Sequence, residues 1–193
     1  MSKLPLVWEW DVGGSFCVLT PLRNVEDEYE LSRGISRAKG FPSDAAFHMD
    51  PKFKRYVDLA DNLKNPDRII TVSKALKEFI EARKPREVEY LQVPIFNHKK
   101  KVASDEYFII NPLRVFDCID KEKSDISWNA IDPDKISAVE KLVLKPKAFE
   151  PGFLLFRLKH FEHAVMVDRK LAQAILDEGF TGLIFDEVDT FVR

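Results

Sequence analysis

Apolar residues recur at helical spacing in two stretches of the chain. In the first stretch the apolar positions follow Ser73, whose hydroxyl is a good helix N-cap, and Pro85 ends the pattern. In the second, Asp168 is the N-cap and Gly179 is a natural left-handed stop. The predicted buried positions are Val72, Leu76, Phe79 and Ile80 in the first helix and Leu171, Ala172, Ile175 and Leu176 in the second. The pattern therefore predicts two principal helices.

Strand-like runs occupy much of the remaining chain. The runs VEYLQVPIFN and EYFIINPLRVFDCID flank the polar turn at 98–101, which predicts a long antiparallel hairpin. Pro94 and Pro112 lie inside these runs, so each predicts a bulge or an edge position. Shorter strands are predicted at 4–11, 15–20, 136–146, 152–159, 164–168 and 181–188. We therefore expect an α+β fold, a single domain with a mainly antiparallel β-sheet and two principal helices packed on it.

The N-terminal part of the chain is less regular than the rest. Gly, Pro and Asp interrupt the stretch from Arg33 to Met49, although its apolar residues need burial. We therefore expect 1–40 to form an N-terminal arm or extension packed on the core, and 41–193 to form the α+β domain.

Composition and charge narrow the classes of function. The chain is 45% hydrophobic and 32% charged, as globular domains are, and its net charge of −2 argues against a dedicated nucleic-acid binder. Residues 50–101 carry 13 Lys or Arg against 8 Asp or Glu, which indicates either ordinary solvated faces or a bipolar surface for a charged partner. No apolar run reaches signal-peptide or membrane-span length, so we expect a cytoplasmic protein without membrane contact.

Candidate catalytic and metal-binding groups are few. Asp117, Asp120 and Glu122 have a spacing that suits a divalent metal, although an acidic strand end beside lysines is more often simply solvated. The histidines His160 and His163 have no further zinc ligand at a suitable spacing. Neither cysteine shows a redox or zinc spacing, and no glycine-rich phosphate-binding motif occurs. We therefore expect no cofactor, and binding is favoured over catalysis.

The order of the segments resembles a known bacterial family. The matching run comprises FPSDAAFHMD, LADNLKNPDRIITVSKALKEFI, EYLQVPIFNHKKK, EYFIINPLRVFDCIDKEKS, LLFRL and GFTGLIFDEV. It resembles the immunity proteins of the "immunity eleven" group, long catalogued as a domain of unknown function and associated with polymorphic toxin systems. The most telling residues are Val72, Ser73, Tyr90 to Pro94, Asn111, Asp117 to Asp120, Ser124, Thr181, Gly182 and Phe185. The resemblance implies a cytoplasmic protein that binds and neutralises a cognate toxin and needs no active site.

Two alternatives remain beside this toxin-binding function. One is a metal-dependent hydrolase using Asp117, Asp120 and Glu122, and the other is a structural or self-associating protein. For toxin binding we expect an acidic or bipolar interface. Its candidate residues are Asp177 and Glu178 at the end of the second helix, and Asp186, Glu187 and Asp189 in the tail. Acidic residues at a helix C-terminus oppose the helix dipole, which a charged partner would explain.

Overall fold

Twelve strands make up most of the regular structure in the computed structural model, which describes residues 4–145, 147–150 and 152–193. The first six strands are β1 (Leu6–Trp10), β2 (Phe47–His48), β3 (Asn62–Leu63), β4 (Ile70–Ser73), β5 (Val88–Phe96) and β6 (Val102–Pro112). The other six are β7 (Val115–Phe116), β8 (Asp125–Trp128), β9 (Ile136–Lys141), β10 (Leu155–Leu158), β11 (Phe161–Val167) and β12 (Leu183–Glu187). The helices are α1 (Lys74–Glu81) and α2 (Arg169–Asp177), with short 3₁₀ segments at Glu28–Arg33, Pro51–Phe53 and Val188–Thr190.

The strands form two five-stranded sheets and one separate hairpin. The first sheet has the order β12-β1-β11-β10-β7, and the second has the order β2-β5-β6-β4-β3. Neighbouring strands are antiparallel except where the two-residue edge strands β7 and β2 pair with β10 and β5. Strands β8 and β9 pair only with each other. The predicted α+β, mainly antiparallel single domain is confirmed.

The hairpin turn and both helices lie where the sequence predicted them, but the second hairpin strand ends at Pro112 instead of running on to 120. Val115–Phe116, in the remainder of that run, pair with β10 in the first sheet. Strand β5 pairs with β6, and the register shifts at Pro94, so the predicted bulge is confirmed there. Pro112 is the last residue of β6 and pairs with Val88. The Ser73 hydroxyl and the Asp168 carboxylate each accept a hydrogen bond from a backbone N–H of the first turn of their helix. These local signals are sufficient to define where α1 and α2 begin.

Some predicted positions differ in the structure. Leu176 is 45% exposed, whereas the other predicted core residues of α2 are buried. Successive helical residues are about 100° apart, so Leu176 lies off the face that Ile175 presents to the core. Residues 15–20 form isolated bridges to other segments instead of the predicted strand. The strand predicted at 136–146 ends at Lys141, and Pro146 lies outside the described residues.

A buried arginine ties β10 to the second sheet and to the N-terminal part of the chain. Arg157 is 1% exposed, and burial lowers the pKa of its guanidinium to about 9, so the group stays charged at neutral pH. Its guanidinium donates hydrogen bonds to the carbonyl oxygens of Leu31, Ser32, Pro112 and Glu162 at 2.7–3.0 Å and to the amide oxygen of Asn111 at 3.4 Å. The charge is therefore satisfied largely by backbone dipoles.

Glu89 of β5 extends this network. Its carboxylate accepts hydrogen bonds from the Ser36 hydroxyl, the Arg37 and Ala38 backbone N–H groups and the Asn111 amide. Burial tends to raise the pKa of Glu89, but these hydrogen bonds outweigh it and hold the pKa below its usual value. Strand β1, also within 1–40, lies between β11 and β12. The proposed division of the chain at residue 40 stays a prediction.

Candidate partner-binding surface

An exposed loop at 51–58 carries several apolar side chains. All eight of its residues are exposed. Phe53, Tyr56 and Val57 are 40%, 41% and 51% exposed. The rings of Phe53 and Tyr56 stack with their centroids 6.3 Å apart and an interplanar angle of 15°. Grouped apolar residues on a surface are typical of sites that bind other proteins.

The backbone of the 51–58 loop is held by local hydrogen bonds. The Asp50 carboxylate accepts from the Lys52 N–H at 2.8 Å, and the Asp50 carbonyl accepts from the Phe53 N–H at 3.0 Å. The Phe53 carbonyl in turn accepts from the Tyr56 N–H at 2.9 Å. Because the loop conformation is already fixed, presenting its side chains to a partner costs little further entropy.

The same loop is basic. Lys52, Lys54 and Arg55 are exposed, and none of them forms an ion pair with any residue that the structure describes. Asp58 is the one acidic residue in the loop. The loop therefore presents unneutralised positive charge next to apolar surface.

A cavity of about 330 Å³ opens beside the loop. Its lining includes Phe53 and Tyr56 of the loop, together with Val12, Phe16, Lys64, Asp11 and Asp50. Val12 is 75% exposed, so the apolar lining continues onto the open surface. A space of this size can receive one or two side chains of a partner.

The β8–β9 hairpin presents a second exposed apolar group of opposite charge character. Ile131 at its turn is 95% exposed, and the Asn129 side-chain oxygen fixes the turn by accepting from the Ile131 and Asp132 N–H groups. Residues 125–134 contain three Asp and neither Lys nor Arg. Pro66 lines both the cavity beside the 51–58 loop and a cleft bounded by Asn129 and Asp132. The basic loop and the acidic hairpin therefore flank the same surface segment.

The structure divides the acidic residues predicted as an interface into two groups. Asp177 and Glu178 lie at the C-terminal end of α2, and Asp186, Glu187 and Asp189 lie at and just beyond the end of β12. Both Glu187 oxygens accept from Arg169, at the start of α2, at 2.6 Å, and this bonding lowers the pKa of Glu187. The two groups are thus separated by the length of α2, roughly 12 Å. Partner binding by these residues stays a prediction.

The predicted metal ligands are engaged with lysines or exposed. The Asp117 carboxylate accepts from Lys159 at 3.0 Å, which lowers the pKa of Asp117. Asp120 pairs with Lys123 at 3.4 Å, and Glu122 is exposed. Within the described ranges, no three His, Cys, Asp or Glu side chains are grouped so that they could hold a metal ion. The metal-dependent hydrolase hypothesis therefore finds no support in this arrangement.

His160 makes polar contacts near the surface, whereas His163 and both cysteines are largely buried. His160 interacts with the Lys121 ammonium at 3.0 Å on one side of its ring. Burial, together with nearby arginines, lowers the pKa of His163 to about 3, so this imidazole is neutral at physiological pH. Cys17 and Cys118 are free and buried, and burial raises the pKa of each to about 12. Neither thiol is therefore ionised enough to act as a nucleophile at neutral pH.

Comparison with protein families finds a match to the immunity protein family Imm11 over residues 18–190. The chain belongs to the Imm11 family. The resemblance recognised in the order of its segments is confirmed, and the match begins well before Phe41. No curated protein matches the chain. Neither helix in the described part of this Imm11 protein has the length and apolar character needed to cross a bilayer.

Several residues that carried the resemblance connect distant parts of the Imm11 fold. The Asp61 carboxylate accepts hydrogen bonds from the Ser73 hydroxyl at 2.7 Å and from the Thr181 N–H and hydroxyl at 3.0 and 2.9 Å. Gly182 has φ +79°, and a β-carbon there would collide with the Asn62 carbonyl oxygen. These residues hold the entry to β12 against the start of α1. These residues stabilise the scaffold, and partner contacts are expected on exposed surface instead.

The sequence analysis missed the 51–58 loop as a candidate site. Its letters PKFKRYVD interleave three cations with Phe53, Tyr56 and Val57. Aromatic residues and Arg are enriched in protein interfaces, although Lys is depleted there. That signal is visible in the sequence. What the sequence does not show is that all eight residues remain exposed after folding.

Proposed function

We propose that this Imm11 protein binds and neutralises a cognate bacterial toxin in the cytoplasm of the cell that produces it. The observation that carries the proposal is the family match over residues 18–190. The basic 51–58 loop and the acidic β8–β9 hairpin, which flank Pro66 on the surface, support it. Charge-complementary surfaces on a rigid scaffold favour fast and specific protein association.

Neutralisation in this proposal works by occupancy and needs no chemistry from the protein. The buried thiols and the lysine-paired carboxylates are consistent with that mode of action. Toxin binding that leaves only about 0.1% of the toxin free requires a Kd near 1 nM at ~1 µM protein, or about −12 kcal/mol. An interface of ordinary size, roughly 1,200–2,000 Å² in total, can supply this affinity.

The contact face has two candidates of opposite charge. The acidic candidate consists of the residues predicted from sequence, Asp177, Glu178, Asp186, Glu187 and Asp189. The basic candidate is the 51–58 loop. Their opposite signs make them separable by charge reversal, since each reversal should weaken binding only where the reversed residues contact the toxin.

Co-expression with the toxin encoded by the adjacent gene tests the proposed function. We expect the wild-type protein to restore growth, and the purified pair to form a stable complex with nanomolar affinity by calorimetry. A catalytically inactive toxin serves as the binding partner, so that affinity is measured without damage to the cells. Absence of binding at 10 µM of each protein would refute the proposal. Restored growth without any complex would indicate an enzyme acting on the toxin's product instead.

A further inference from the structure

The 51–58 loop leaves apolar surface exposed that association could bury. Phe53, Tyr56 and Val57 each retain 40–51% of their surface in solvent. Burying apolar surface against a partner is favourable in proportion to the area removed from water. The stacked rings of Phe53 and Tyr56 have few rotatable bonds, so little side-chain entropy is lost when they are covered.

The charge of the loop indicates the chemistry of its partner. Lys52, Lys54 and Arg55 have no acidic partner within the described chain. The adjacent cavity is lined by Lys64 but also by Asp11 and Asp50, so it is the three loop cations that indicate the charge of the partner. Their positive potential favours an acidic surface. Nucleic acid also attracts cations, but the net charge of −2 and the apolar content of the loop favour a protein partner.

We propose that the 51–58 loop is the principal toxin contact and that it fits an acidic surface of the toxin that has an apolar recess for Phe53 and Tyr56. A toxin side chain at the edge of that recess enters the cavity lined by Val12 and Phe16. This inference rests on the proposed function. It predicts an acidic toxin surface, whereas binding through the acidic candidate face would require a basic one.

Two variants of equal net charge test whether toxin binding depends on where positive charge is lost or only on how much is lost. The loop variant carries Lys52→Glu, Lys54→Glu and Arg55→Glu. The matched control carries the same three reversals at exposed lysines that do not line the adjacent cavity, Lys39, Lys141 and Lys170. Both variants have the same net charge, so a difference between them reports the location of the contact.

A second pair tests the apolar part of the contact. The double variant Phe53→Ser with Tyr56→Ser removes both aromatic side chains, and Val192→Ser is the control at an apolar residue that is 59% exposed. All of these positions are exposed, so each variant should unfold at nearly the same temperature as the wild type. Affinity for the inactive toxin is measured by calorimetry at two salt concentrations.

We expect the loop charge reversal to weaken toxin binding by at least 100-fold and the aromatic variant by at least tenfold. Both controls should stay within threefold of the wild type. Binding of the wild type should weaken with added salt, and that dependence should be smaller in the loop variant. The loop variant should also fail to protect cells that express active toxin.

Other outcomes would overturn the inference in recognisable ways. If the wild type binds toxin and the loop variant binds equally well, the loop is not the contact and the proposed function still stands. If Asp177→Lys with Glu178→Lys abolishes binding instead, the acidic face is the contact. If a fluorescent single-stranded oligonucleotide binds the wild type more tightly than the toxin does, and the loop variant loses that binding, the loop is a nucleic-acid surface. A wild type that binds no toxin at all contradicts the proposed function itself.

Discussion

Replacement of Arg157 by Met measures how strongly the buried arginine holds the fold together. The substitution keeps much of the side-chain volume but removes the five hydrogen bonds to Leu31, Ser32, Pro112, Glu162 and Asn111. A buried acceptor that loses its donor costs about 1 kcal/mol or more. Relief of the cost of burying a charge offsets part of that loss. We therefore expect the free energy of unfolding to fall by about 3 kcal/mol and Tm by roughly 6–12 °C.

Urea unfolding followed by tryptophan fluorescence provides the measurement. The matched control is Arg55→Met, at an exposed arginine without an ion pair in the described chain, which should change stability by less than about 0.5 kcal/mol. A variant of Arg157 that is as stable as the wild type would refute the reasoning. It would mean that the guanidinium's hydrogen bonds do no more than compensate for burying its charge.

Two further predictions concern stability. Gly182 and Gly179 have nearly equal positive φ angles, +79° and +78°, but only at Gly182 would a β-carbon collide with backbone. Urea unfolding should therefore show a loss of about 3 kcal/mol for Gly182→Ala and about 1 kcal/mol for Gly179→Ala, and equal losses would contradict the role of close packing. The pKa of His163 is lowered from 6.5 to about 3, so on acidification the unfolded state takes up a proton that the folded state excludes. Stability should fall by roughly 3 kcal/mol between pH 6.5 and 4, and His163→Leu should flatten that slope in a pH series of unfolding curves.

The parts of the fold that the sequence predicted are those set by neighbouring residues. Ser73 and Asp168 begin the two helices through hydrogen bonds to residues two or three positions away. The bulge at Pro94 follows from the missing N–H of proline inside a ladder. Each of these features depends on chemistry within a few residues, which a single sequence displays directly.

The features that escaped prediction depend on contacts between distant segments. Arg157 lies in an apolar run, and two of its carbonyl partners are 125 and 126 residues away, so nothing local indicates that its charge is satisfied. The pattern of α2 predicted that Leu176 is buried, but Leu176 is 45% exposed. The apolar pattern alone does not show where the edge of the packed face lies. The candidate interface has the same character. The composition of the 51–58 loop is readable, but its exposure is a property of the whole fold.

The position of β1 between β11 and β12 affects how the protein is made. All five residues of β1 pair with β12, from Leu6 opposite Glu187 to Trp10 opposite Leu183. A ribosome adding about 5–20 residues per second needs roughly 10–35 s to travel from one strand to the other. For most of that interval the first strand of a nascent chain has neither neighbour, since β11 is made only at 161–167 and β12 follows it. The first sheet therefore closes only after residues 6–187 have all been made, so it cannot form strand by strand behind the ribosome.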